Sequence, residues 1–519
     1  MHDIHLINGL FEAATPESVG IPSGAIADCL EAIIKSDRNI QSLHIFKDGK
    51  LAAGGSAKPF TDSSRRRVYS TMKSVIALAV LFLVQEGKLS FEDKIVDYFP
   101  EDVPEDCSEL MKNLTLRNIL NMSVGQEKDA LSIFHASSFG EEMIPLNQRG
   151  KDFGLSFNPK GMTLEQIFFR LPMDYVPGSR FHYVNTVPEL LIRLITKASG
   201  TDFIHYLKPR LFDYLHTDVF NSQETTDPSW SPEKPHRHAD DFVKTYLDGS
   251  TTVTSSYDLC KFALFYLQRG SWEGKQLLDP ALIDEATSML IPTADFAAKT
   301  GESDDNAYGY GMQIWRNSYG GYQMLGGCGQ TAVIVPEMNL VMVWCAFDPA
   351  YHDGRTAALV RDHIFKAMRR HSIPENPEAY ERLQAVLKGW TIVPPNLTSD
   401  FESCSIRPGK YALAETVDGI DAVEFNYKEK SAVVYQNGSA VNLDFGLCGS
   451  FVRNAKGPKR RIDGYSCVYE NDTKAVWAAC GTTGRDTLLL QLQYEGEMQP
   501  MRYYFSPAGD GILCCEKRR

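Results

Sequence analysis

Val68-Tyr69-Ser70-Thr71-Met72-Lys73-Ser74-Val75-Ile76-Ala77-Leu78-Ala79-Val80-Leu81-Phe82-Leu83-Val84 sets a hydroxyl and an amine three residues apart at the head of a long apolar run. Apolar character without interruption predicts a helix buried on all sides, with Gly87 as its stop. On a helix, positions i and i+3 share a face, so Lys73 reaches Ser70. Burial favours the uncharged amine, which is a usable base, and a serine beside a base is an activated nucleophile. The run is too short to span a bilayer. A second Ser-x-x-Lys, Ser231-Pro232-Glu233-Lys234, lies between Pro228 and Pro235 and is no helix interior. Context rather than the bare tetrad therefore gives the first copy its meaning.

The 519 residues exceed what one core accommodates, so two or three domains are expected. Apolar content of 43% and charged content of 23% are those of an ordinary globular protein. The net charge of −13 argues against a nucleic-acid groove or an anionic-membrane surface. Arg65-Arg66-Arg67 is the dense basic run near Ser70, either a solvated edge or a substrate-steering patch. The 11 cysteines include no C-x-x-C pair, which suggests buried, reduced thiols. Residues 1–30 hold no basic segment followed by an apolar one, so a cytoplasmic location is expected.

The pattern predicts a first helix at Ala25–Ile34 and a hairpin over Leu43–Ala53, turning at Lys47-Asp48-Gly49-Lys50. From Leu114 to Leu290 it is helix-rich, with amphipathic pieces at Leu190–Thr196 and Asp258–Gln268. Short β runs return at Gly311–Trp315, Tyr322–Leu325, Thr331–Pro336 and Leu340–Cys345, followed by a helix at Ala357–Met368. Strands at both ends with helices between predict an α+β arrangement, one sheet and a helical lobe, within residues 1–372. Residues 373–400, with Pro374, Pro377, Pro394 and Pro395 around a short helix, read as a linker. Residues 401–519 alternate around the Asn437-Gly438 turn and predict a small antiparallel β domain resembling a barrel.

Absent motifs narrow the chemistry. There is no Gly-x-Ser-x-Gly and no His-Glu-x-x-His. The glycine-rich Gly326-Gly327-Cys328-Gly329-Gln330 precedes a strand rather than a helix, so it is no dinucleotide site. His236, His238, Asp240 and Asp241 sit in a Pro-flanked polar loop, which reads as solvated rather than metal-binding. No metal and no cofactor are expected.

A second constellation is Pro177-Gly178-Ser179-Arg180-Phe181-His182-Tyr183-Val184-Asn185. Its place in a fixed succession carries weight: the Ser70 segment, Glu86-Gly87-Lys88-Leu89, Leu114-Thr115-Leu116-Arg117-Asn118-Ile119-Leu120, this stretch, Thr251–Leu259, then Tyr308-Gly309-Tyr310-Gly311. The succession resembles the serine β-lactamase-like superfamily, on the side of class C β-lactamases and their esterase and peptidase relatives, over residues 15–370. The resemblance implies an antiparallel sheet flanked by helices, an all-helical lobe and a site between them. It implies Ser70 as the acylated nucleophile, Lys73 and Tyr183 sharing the proton work, and Asn185 bonding Lys73 and the substrate. Either neutral Lys73 takes the serine proton, or a charged Lys73 stabilises a Tyr183 phenolate that does; such groups titrate as a unit.

The chain departs from the superfamily at its third element, a Lys/His-Thr/Ser-Gly strand, because Tyr322-Gln323-Met324-Leu325-Gly326-Gly327 holds neither Lys nor His. Its Gly-x-x-Gly-Gln ending is similar to that of 6-aminohexanoate-dimer hydrolases. That likeness implies the N–H of Gly327, with Gly329 as the alternative, as oxyanion donor beside that of Ser70. A Lys or His there helps hold a β-lactam carboxylate, so the expected activity is an esterase or amide/peptide hydrolase for a small, neutral substrate. The alternatives are a true β-lactamase or D-amino-acid peptidase, or a sensor that accepts an acyl group without turnover. The expected partner is that small molecule, with no nucleic acid or membrane; homo-oligomerisation stays open.

Overall fold

The computed structural model describes residues 6–7, 10–36, 38–139, 153–221, 252–300, 304–348, 350–447, 449–459, 475–495 and 499–518. The second Ser-x-x-Lys and the His236–Asp241 cluster lie outside them.

In chain order, the first part holds α1 (Ser23–Lys35), β1 (Asn39–Lys47), β2 (Lys50–Ser56), β3 (Arg65–Arg67) and α2 (Met72–Gln85). Next come α3 (Ala130–Phe139), α4 (Thr186–Ser199), β4 (Thr252–Ser255) and α5 (Ser256–Leu267). Then follow β5 (Trp315–Arg316), β6 (Tyr322–Gly326), β7 (Gln330–Val335), β8 (Leu340–Phe347), α6 (Arg355–Val360) and α7 (Pro377–Gly389). The main sheet runs β5-β6-β7-β8-β1-β2, antiparallel throughout. The β1–β2 hairpin turns through Asp48 and Gly49 at φ 54° and 79°, the two positive values a type I′ turn requires.

Both faces of this sheet are covered, which is why β8 is apolar along almost its whole length. Met324, Ala332, Val343 and Cys345 face α2 and α5. Their neighbours Val333, Met342 and Trp344 point the other way, into the core that α1 completes. Helix α2 is buried from Met72 to Leu83 and packs against α4 of the helical lobe. No helix among the described residues is long and apolar enough to cross a membrane.

One expected strand is not formed. Residues 311–314 make a turn, with Gly309 and Gln313 at positive φ, and pairing starts at Trp315. A Cβ on Gly311 would lie 2.1 Å from the Ala286 carbonyl oxygen, and Met312 N–H bonds that same oxygen, so the backbone is committed to a helix end instead of a sheet. Arg66 and Arg67 are buried side chains of β3, and Arg66 lies 4.9 Å from the Phe60 ring centroid, so the basic run offers no steering patch as a whole.

Within the segment expected as a linker, α7 buries Leu383 and pairs Arg382 with Glu31 and Asp28 of α1. Beyond it the backbone bonds Lys58 on one side, while Ile392 O accepts from Arg502 on the other.

The last part is a nine-stranded sheet of β9 (Gly409–Val417), β10 (Ile420–Asn426), β11 (Ser431–Gln436), β12 (Ser439–Asp444), β13 (Val452–Asn454), β14 (Val476–Gly484), β15 (Thr487–Tyr494), β16 (Met501–Gly509) and β17 (Ile512–Arg518). Its order is β12-β11-β10-β9-β17-β16-β15-β14-β13. It is antiparallel except where its first and last strands, β9 and β17, pair in parallel. The sheet nearly closes, because Asn454 bonds both N–H and C=O of Asp444 across the two edge strands, at 2.8 Å each.

Leu78 is fully buried in α2. Leu78→Ala is expected to destabilise the protein by about 2–5 kcal/mol, read by denaturant unfolding of both proteins.

Candidate active site

The Ser70 hydroxyl sits on a 3-10 turn, Tyr69–Thr71, that feeds directly into α2. Thr71 holds the turn shut, its hydroxyl donating to Val68 O at 2.7 Å. Ser74 Oγ donates to Gln313 O at 2.7 Å, and Tyr266 Oη donates to Ser74 O at 2.8 Å, so the first turn of α2 is pinned from two sides. Lys73 follows on the same face. Its side chain is buried, and its Nζ donates to Ser70 Oγ at 2.6 Å and to Asn185 Oδ1 at 3.0 Å.

Asn185 stands at the N-cap of α4, where a carboxamide ordinarily bonds the helix's free N–H groups. Here it makes no such bond. Asp129, just ahead of α3, does that work: its carboxylate accepts from Thr186 N at 3.1 Å and from the Thr186 hydroxyl. Asn185 is thereby released to Lys73, and the rest of it faces solvent.

Tyr183 arrives on a loop hung from residues 122–127, through Gly178 N to Ser123 O at 2.8 Å and His182 N to Met122 O at 2.9 Å. His182 Nε2 meets Glu127 O at 3.1 Å, and burial holds its imidazole below the usual value. The Tyr183 ring has two neighbours. Lys73 Nζ is 4.9 Å from its centroid, and Trp315 stacks on it at 5.7 Å and 20°. The amine thus meets the ring of Tyr183, while Ser70 and Asn185 supply its hydrogen-bond acceptors.

The end of β6 abuts the Ser70 turn. A Cβ on Gly326 would stand 2.3 Å from Val68 O, and one on Gly327 would stand 3.5 Å from the Tyr69 ring. Gly329, at φ 91°, turns toward Ala346, Asp348 and Tyr351 instead. Of the two expected glycines, Gly327 is the one beside the Ser70 turn. Beyond Gln323 the outer edge of β6 has no strand partner among the described residues, because β5 pairs only with Tyr322 and Gln323.

Two residues here carry backbone strain. Tyr69 has φ 48°, and Cys328, inside the glycine turn, has φ 59° and ψ 17°. Left-handed conformations at non-glycine residues cost about 1–3 kcal/mol each and concentrate at functional sites. Burial pushes the Cys328 thiol up to about 12, so it is a neutral packing group.

Ser70, Lys73, Tyr183, Asn185 and Gly327 thus converge from three separate stretches of chain. The sequence reading did not find Asp129, whose role depends on where α4 starts, or Trp315, whose ring reaches Tyr183 from the sheet edge. Among the described residues no cluster of His, Cys, Asp and Glu is arranged to hold a metal ion.

Comparison with known proteins adds the following. The family model described as Beta-lactamase matches residues 26–364. An uncharacterized protein of Alkalihalophilus pseudofirmus is 22% identical over 315 residues, spanning 57% of this chain and 77% of that protein. The octameric penicillin-binding protein homologue from Pyrococcus abyssi aligns over 93% of this chain and 96% of its own, at 18% identity and TM-score 0.46. The D-amino acid amidase from Ochrobactrum anthropi, solved with D-phenylalanine, aligns over 66% of this chain and 98% of its own, at 17% identity and TM-score 0.46.

If Asp129 frees Asn185, Asp129→Ala should draw the carboxamide back to the helix end. The expected outcome is about 1 kcal/mol lost in stability, measured by thermal unfolding, with Asn185 turned from Lys73 in a crystal structure.

Proposed function

This chain belongs to the beta-lactamase family, and from that premise we propose that it is a serine hydrolase working through an acyl-enzyme on a small, neutral ester or amide. The observation that carries the reading is the contact of Lys73 Nζ with Ser70 Oγ at 2.6 Å, secured by Asn185 at 3.0 Å. Hydrogen-bond reach between nucleophile and base, with the base oriented by a third group, is the arrangement nucleophilic catalysis requires.

In the proposed reaction, Ser70 Oγ attacks the substrate carbonyl carbon as the Lys73–Tyr183 pair takes the hydroxyl proton. The carbonyl oxygen gains the negative charge and accepts from the N–H groups of Ser70 and Gly327. Collapse breaks the bond to the alcohol or amine, which leaves with a proton delivered through the Lys73–Tyr183 pair. Water then attacks the acyl carbon, gives its proton to the same pair, and the acid departs as the Ser70 hydroxyl is restored. Asn185, partly open to solvent, holds Lys73 and bonds the substrate.

Two features support the substrate class. The strand beside the nucleophile, Tyr322–Gly326, carries no cation to pair with a carboxylate. Its outer edge past Gln323 is unpaired among the described residues, so an extended amide-bearing substrate has backbone groups to join.

Turnover of p-nitrophenyl esters and D-amino-acid amides tests the reading. Ser70→Ala is expected to abolish it, and Lys73→Ala and Tyr183→Phe each to lower kcat by roughly 10²–10⁴-fold. Activity surviving in Ser70→Ala overturns the mechanism. Nitrocefin turnover matching that of simple esters overturns the neutral-substrate assignment, and a fluorophosphonate-reactive Ser70 without product release points to an acyl-accepting sensor.

A further inference from the structure

Two strained residues face each other across the site, one on each side of the gap between nucleophile and glycine turn. Tyr69 immediately precedes Ser70, and Cys328 immediately follows Gly327. Both have φ in the left-handed region, 48° and 59°, which neither residue type favours. Both side chains are buried, at 7% and 6% exposure, and with Phe347 they form an apolar cluster separate from the main cores. A side-chain hydrogen bond joins them. The Tyr69 ring also covers Gly327, where a Cβ would stand 3.5 Å from its Cγ.

We propose that Tyr69 and Cys328 are positioning residues forming a clamp that sets the separation of the Ser70 and Gly327 backbone N–H groups; this rests on the hydrolase reading above. Each clamp residue is covalently next to one donor, so contact between the two side chains fixes the distance between the turns. The far side is held as well. Cys328 O accepts from Asp348 N at 3.0 Å, which ties the glycine turn to the chain just past β8. Gly326 sits close against Val68, since even a Cβ there would stand 2.3 Å from the Val68 carbonyl oxygen. An oxyanion site acts through donors fixed before the charge develops, so slack between the turns weakens the transition state more than the bound substrate. The strain persists because contacts on both sides over-determine it.

Glycine adopts positive φ at little cost, so Tyr69→Gly and Cys328→Gly release strain while removing the clamp. On p-nitrophenyl acetate, each is expected to lower kcat by about 30-fold or more with KM within about 2-fold of wild type. Tyr69→Phe, which keeps the ring and loses the hydrogen bond, is expected to lose about 3–10-fold in kcat, with Tm unchanged. The double glycine variant is expected to fall little further than either single one, because the two act as a unit. Wild-type kcat in both glycine variants overturns the clamp. So does a loss in kcat that follows Tm across all three variants, since that assigns the pair to packing alone. A wild-type protein with no Ser70-dependent turnover and no fluorophosphonate labelling overturns the hydrolase reading, and the clamp with it.

Discussion

A buried amine needs partners, and the arrangement of this protein around Ser70 follows from giving Lys73 three of them. Its carrier, α2, is apolar and enclosed, so its polar tip has no water to fall back on along the barrel of the helix. Ser70 comes from the turn just before. Asn185 and Tyr183 come from the helical lobe, and Trp315 of β5 backs the tyrosine ring from the sheet side. Central helix and lobe therefore meet at one nitrogen, and the sheet joins them through Trp315 on the Tyr183 ring. A shift of any one of them leaves a polar group in an apolar setting, which costs far more than the single contact is worth.

The supporting layer shows how local rules yield to this demand. Asn185 occupies a helix start and forgoes the usual capping bond; Asp129 satisfies the helix in its place. Tyr69 and Cys328 hold backbone conformations that side chains avoid. Each of these departures lies at or next to Ser70, Asn185 or Gly327, whereas turns such as Asp48-Gly49 and Asn437-Gly438 use residues suited to them.

Much of this was legible in the residues. The apolar run after Ser70 could only be an enclosed helix, and the two hairpin turns announced themselves through Asp-Gly and Asn-Gly. The return of strands after residue 320 implied one sheet assembled from both ends, as the β8–β1 pairing bears out. Tyr183 and Asn185 were legible only through their place in a family succession, since spacing across more than a hundred residues encodes no distance. What escaped was set by tertiary contact. Gly311–Trp315 alternates like a strand, yet contacts with Ala286 bend it into a turn. The parallel meeting of β9 and β17 depends on where the chain ends up, which periodicity does not record. Asp129 and Trp315 look like any loop carboxylate and any edge aromatic until α4 and β5 are in place.

The pairing of β1 with β8 also bears on how the molecule is made. Strand β1 lies in the sheet between β2 and β8, and Leu43 sits opposite Trp344. A ribosome delivers the β1–β2 hairpin and α2 long before the strand that completes their layer. For that interval the apolar α2 also lacks β6, the strand it packs against. The early portion of this chain thus stays incomplete until residues 322–347 have emerged.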